Sequence, residues 1–241
     1  MRRGRGLGLG LTLGGVVSSA PAFTPASSPG LVAWLHADSL SASPVPSWSY
    51  GAGNFTNGVN RPTWSASSAN VGGAKSVLYS GTQSLSTPNT SALQLTGDFT
   101  ISTVIYQTGV GLPTVISKYA GTGGEFDILI NGATNIANCV QYNGGTPTAV
   151  SSSAVYMPNV AFLMTIIKSG TTISFRKNMA AAGSGTNASA VSATTNAVSI
   201  GRRSDNGTTI IGEQPEIVIC NQALAGTDLS NLESYLMAKY P

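Results

Sequence analysis

Charge is the scarcest commodity in this sequence: only 9% of its 241 residues are Asp, Glu, Lys or Arg. A solvent-facing helix needs charged and long polar side chains, so this composition excludes a charged helical bundle. Two cysteines, Cys139 and Cys220, are too few for a disulfide framework, and both are expected to be free thiols packing as small apolar groups. His36 is the sole histidine, with no acid–base arrangement in the serines near it, so a Ser-His-Asp site is not expected. No apolar run reaches the roughly 18 residues needed to cross a bilayer.

The net charge of +3 is unevenly placed. Arg2, Arg3 and Arg5 lie at the very start, and without them nine basic residues balance nine acidic ones. A neutral body argues against a nucleic-acid-binding surface. What abounds instead is Gly, Ser, Thr, Asn and Ala, the composition of a β-rich chain with many tight turns. At this length one sizeable core, and one all-β domain, is the natural expectation.

The most informative stretch is the last. Glu216-Ile217-Val218-Ile219-Cys220, bounded by Pro215 and Asn221, is β-branched and nearly all apolar, as a strand covered on both faces should be. After it, Thr227 is placed to cap a helix, with Asp228 in the first turn. Leu229, Leu232 and Leu236 follow at spacings of three and four, with Tyr235 and Tyr240 beside them, Lys239 in the last turn and Pro241 at the end. One helix on an otherwise β chain must lie on a sheet or plug its end.

Ahead of it run short strands: Leu31–Asp38, Lys75–Tyr79, Phe99–Tyr106, Thr114–Tyr119, Glu125–Ile130 and Ile136–Tyr142. The clearest hairpin joins Ala161–Lys168 to Thr171–Lys177 across Ser169-Gly170. Residues 39–73 read as long loops with short strands, and Ala180–Thr195 as a small-residue loop. About ten strands at this spacing predict an all-β, two-sheet antiparallel jelly-roll sandwich with one C-terminal helix.

Residues 1–29 stand apart. Leu7, Leu9, Leu11 and Leu13 alternate with glycines, then Ala20–Gly30 is rich in proline. A basic start and an apolar stretch resemble a secretory signal, but glycine at every second position makes a poor helix. The expectation is an extended arm that anchors the domain, residues 30–241, to another chain through Arg2, Arg3, Arg5 and the four leucines.

The order of motifs resembles the concanavalin A-like lectin/glucanase superfamily, above all laminin-G-like jelly rolls of bacterial surface proteins and tailed-phage virion proteins. Carrying it are Pro29–Leu35 with Asp38, Arg61-Pro62-Thr63, Phe99-Thr100-Ile101, Ile116-Ser117-Lys118, the 161–177 hairpin, Ser199-Ile200-Gly201, and Glu216–Ile219 leading through Leu224 into the helix. The arm also resembles the openings of phage structural proteins. The resemblance implies a virion structural protein of a bacteriophage, as capsid decoration or tail component, oligomeric and contacting other virion subunits through residues 1–29. It allows a carbohydrate-binding module as a second reading and a glycoside hydrolase as a third.

Glucanases of this superfamily carry a Glu-x-Asp-x-(x)-Glu strand whose carboxylates act as nucleophile, helper and acid. Glu125 and Asp127 match the first two, but Leu129 or Ile130 occupies the place of the acid. No enzymatic activity is therefore expected, and both residues are read as the wet side of an alternating strand. Trp48, Tyr50 and Trp64 form a possible sugar-stacking platform, although rings in such loops more often pin them to a core edge. The resemblance also makes Asp38 and Asp205-Asn206 candidate calcium ligands. Hard cations want roughly six to eight oxygens, which two scattered loops do not supply, so no cofactor is expected. Arg202-Arg203 reads as a solvated turn.

Overall fold

The computed structural model describes residues 23–241, apart from 51–52, 57–59, 110–111, 122 and 206. The expected contact residues of the arm, Arg2, Arg3, Arg5, Leu7, Leu9, Leu11 and Leu13, lie outside the described residues, as does Asn206.

The strands in chain order are β1 (Leu31–His36), β2 (Trp48–Ser49), β3 (Asn54–Phe55), β4 (Thr63–Ser68), β5 (Ala74–Ser80), β6 (Leu85–Thr87), β7 (Phe99–Gln107) and β8 (Thr114–Tyr119). They continue with β9 (Gly124–Asn131), β10 (Ile136–Asn143), β11 (Thr146–Val155), β12 (Ala161–Ser169), β13 (Thr172–Lys177), β14 (Ala180–Thr186), β15 (Val198–Ile200) and β16 (Ile211–Cys220). The helix α1 spans Gly226–Lys239. A large antiparallel sheet runs β14-β13-β12-β7-β16-β5-β4, with β1 also pairing β16. A smaller one runs β11-β10-β9-β8-β15-β6, and β2-β3 is a separate hairpin.

The two sheets face each other as a sandwich. Phe99, Ile101, Ile217 and Ile219 of the large sheet share one core with Phe126, Ile128, Ile130 and Cys139 of the small one. On the far side of the large sheet, Val104, Leu163, Val218 and Cys220 are buried beneath Leu229, Leu232, Leu236 and Tyr240. Strand β16 is thus apolar on both faces for a physical reason: one meets the sandwich core and the other the helix.

Two sequence expectations shift. The helix starts at Gly226, with Ala225 as an N-cap that offers no side-chain bond, so Thr227 lies inside the first turn instead of capping it. The expected loop 180–195 contains β14, paired along β13 from Thr172↔Thr186 to Lys177↔Ala180. Backbone pairing asks nothing of the side chain, so Ala, Gly and Ser serve at a sheet edge.

One irregularity sets up the functional geometry. The register between β16 and β7 slips between Glu213, opposite Tyr106, and Glu216, opposite Val104. Pro215 lies within the slip, where a residue without an N–H does least harm. The extra residue turns both glutamates to the outer face of the large sheet, although three positions separate them.

Candidate ligand-binding cavity

A cavity of about 400 Å³ opens on that outer face where β16 begins, lined by Thr63, Asn70, Gln83, Tyr106, Ile211 and Glu213 among others. Its residues come from the starts of β4 and β16, the ends of β5 and β7, and the turns after β4 and β5. Glu213 is its only charged lining residue among the described residues. Glu213 is 5% exposed, and its Oε1 accepts from Ser68 Oγ at 2.9 Å and Asn70 Nδ2 at 2.5 Å. Its Oε2 has no hydrogen-bond partner among the described residues. Gln83 is fixed beside it, accepting from Ser80 N at 2.6 Å and donating to Ser80 Oγ at 2.6 Å. The result is a pocket with an aromatic residue and three planar polar side chains held in place, within the size range of small-ligand sites.

A second cavity, of about 450 Å³, lies against the start of α1. Its one charged lining residue among the described residues, Arg176, donates to Glu233 at 2.8–3.0 Å.

Glu216, the other glutamate of the bulge, is fully committed. Trp34 Nε1 donates to its Oε1 at 2.6 Å, while Lys239 Nζ (2.6 Å) and Tyr240 Oη (2.7 Å) bind Oε2. Lys239 also reaches Asp38 at 2.7 Å. This network fastens the end of the helix to β1 and β16.

On the outer face of the small sheet, Glu125 and Asp127 are buried, not wet. Glu125 pairs with Lys118 at 2.7 Å and accepts from the backbone N–H groups of Leu95 and, at 3.4 Å, Thr194. Asp127 accepts from Ser117 Oγ and from Tyr142 Oη at 2.7 Å, with Arg203 at 3.5 Å. Burial pushes the Asp127 carboxyl above its ordinary value of 3.8, and these donors offset only part of that push. Arg203 stacks over Tyr119 at 4.5 Å and closes the cluster from the 201–210 loop.

A family model described as the concanavalin A-like lectin/glucanases superfamily, of laminin G type, matches residues 79–230. The chain belongs to this superfamily. No curated protein matches it in sequence. Among solved structures it is similar to the binding domain of Paraclostridial Mosquitocidal Protein 1, at 14% identity and TM-score 0.57, covering 87% of this chain and 52% of that one. It therefore spans about half the length of that toxin domain. It is similar over 89% of its length to all of domain 4 of AbnA, a GH43 extracellular arabinanase from Geobacillus stearothermophilus in complex with arabinotriose, at 12% identity and TM-score 0.59. A sialidase of Trypanosoma rangeli in complex with sialic acid matches at 13% identity and TM-score 0.58, over 88% of this chain and 34% of that one. At such identities the likeness is one of fold.

Within this superfamily member, Glu125 and Asp127 do not gain a third acid from Glu213 or Glu216, which lie on the other sheet. Of the two readings of Trp48, Tyr50 and Trp64, the possible stacking platform does not form on Trp48 and Tyr50: Trp48 is 0% exposed and Tyr50 5%, both in the core, as the favoured pinning of loops to the core edge expects. Tyr50 meets Phe55 edge-on at 5.5 Å. Their hairpin carries its aromatic side chains inward, as alternation on a two-stranded flap over a core requires. Trp64 is half-buried, donates to Ala37 O at 3.2 Å and lies 5.5 Å from the Lys75 ammonium. Asp38 is tied to Lys239 and Asp205 to Arg203, and no group of three or more His, Cys, Asp or Glu among the described residues could hold a metal. His36 stacks on Trp34 at 4.6 Å, and burial lowers its pKa.

Proposed function

We propose that this domain is a non-catalytic carbohydrate-binding module whose sugar site is the Glu213 cavity. The observation that carries the reading is the composition of that cavity: Tyr106 for ring contact, with Asn70, Gln83 and Glu213 as planar hydrogen-bonding partners. Sugars are recognised by this combination, an apolar ring face and fixed groups that match hydroxyl directions. Two structures of similar fold, an arabinanase domain with arabinotriose and a sialidase with sialic acid, agree with a sugar as the ligand class. Glu125 and Asp127 serve the reading as structural carboxylates, each enclosed by partners.

The test is a glycan array probed with the full chain, followed by titration calorimetry on the best hit. Tyr106→Ala and Asn70→Ala should each weaken binding about tenfold, the worth of one good contact. An array without a reproducible hit would end the reading.

A second reading concerns assembly. Residues 1–29 act as an anchoring arm to neighbouring subunits of a virion, as capsid decoration or tail component, and the domain is displayed on the particle in an oligomer. Its support is the sequence itself, since leucines spaced by glycines gain shape only against a partner surface. Phe23, ahead of the expected domain start at residue 30, packs edge-on against Tyr235 at 6.3 Å. Deleting residues 2–22 should abolish incorporation into the particle without changing the melting temperature of the domain; unchanged incorporation would remove the assembly role. Localisation on a virion or outside the cell follows from these readings.

A further inference from the structure

We infer that the cavity takes neutral or amino sugars and rejects acidic ones. The inference rests on the sugar-site reading above and adds the class of sugar.

Among the described residues, no lining residue is Lys, Arg or His, and the one acidic residue is Glu213. That carboxylate forms no ion pair among the described residues; both of its partners, Ser68 and Asn70, are neutral donors to one oxygen. Its other oxygen is left without a donor. Arg202, whose Nη1 donates to Thr82 O at 3.4 Å, is not among the lining residues. A buried carboxylate held only by neutral groups makes the site electronegative, and low polarity around it strengthens the effect.

What the free Oε2 of Glu213 lacks is a donor, and sugar hydroxyls and the ammonium of an amino sugar are donors. A uronic or sialic acid brings a second carboxylate into a space that offers no cation to receive it. An anionic sugar is held best by basic side chains, and among the described residues this lining has none.

The experiment uses the full chain and probe pairs that differ only by a terminal acidic sugar, such as lactose and α2,3-sialyllactose, on an array and by calorimetry, with glucosamine oligomers as the basic probe. The expected result is binding of the neutral or amino member, with its sialylated counterpart at least ~10-fold weaker, as an unpaired like charge predicts. Glu213→Gln should narrow that ratio by removing the repelling charge. Should Glu213→Gln fail to fold, raising salt from about 0.05 to 1 M screens the same repulsion and should narrow the ratio too. Equal or tighter binding of the acidic member overturns the inference and leaves the sugar site standing. A discrimination untouched by both Glu213→Gln and salt also overturns it. If no probe of either kind binds, the site reading falls and the inference with it.

Discussion

At the residue scale, the buried carboxylates decide where this protein is vulnerable. Lys118 and Glu125 are both fully buried, so their ion pair contributes little net stability over an apolar replacement, but breaking it strands a charge. Lys118→Ala should cost about 3–5 kcal/mol, read as a lower urea midpoint. Replacing the pair together by Met and Leu should recover most of it. Asp127 makes a prediction with a sign. Its folded pKa lies above the unfolded value, so its contribution to stability is present below pH 3.8 and declines as pH rises through the folded value. Measured between pH 3 and about pH 7, the stability of Asp127→Asn relative to wild type should therefore rise with pH; a flat difference would refute the assignment. Little of this was legible in the sequence. The alternation of Glu125-Phe126-Asp127-Ile128 correctly puts the carboxylates on one face. What covers that face, Leu95, Thr194 and Arg203, comes from segments 30 to 76 positions away.

At the scale of elements, strong patterns were legible and weak ones were not. The 161–177 hairpin, β8 and the C-terminal strand and helix declare themselves through β-branched runs and leucine spacing. β14, Ala-Ala-Ala-Gly-Ser-Gly-Thr, carries no such signal, and its small residues have another cause. Gly183 has φ +101°, and a Cβ there would stand 2.6 Å from the backbone nitrogen of Ser153 in β11, where the edges of the two sheets meet. Gly183→Ala should accordingly destabilise by about 1–3 kcal/mol, since strain and close approach add. Gly144→Ala, also at positive φ but in open space, isolates the strain alone and should cost less. At the other side of the large sheet, Tyr240→Phe removes one donor from buried Glu216 and should cost about 1.5–3 kcal/mol in chemical denaturation.

At the scale of the whole molecule, superfamily and sandwich were legible because the order of strands and helix survives where individual residues do not. The cavity was not. It needs a register slip at Pro215 and residues drawn from β4, β5, β7 and β16, and no contiguous motif encodes such a meeting. That placement has a consequence. β1 enters opposite Cys220, at the end of β16, whereas the cavity sits at Ile211–Glu213, where β16 begins. At about 3.4 Å per residue the two lie roughly 30 Å apart along one strand. A domain held by its N-terminal segment would therefore present the cavity at its free end. The protein lends itself to testing this, because Cys139 and Cys220 are buried and burial pushes both thiols up to about 12, leaving a thiol introduced on the surface as the reactive one. Biotin at the N-terminus should leave glycan binding on a streptavidin sensor equal to that in solution. Biotin on Thr82→Cys, exposed beside Gln83 at the cavity mouth, should reduce it at least tenfold, an effect of about 1.4 kcal/mol. Equal binding through both tethers would place the sugar site elsewhere on the sandwich.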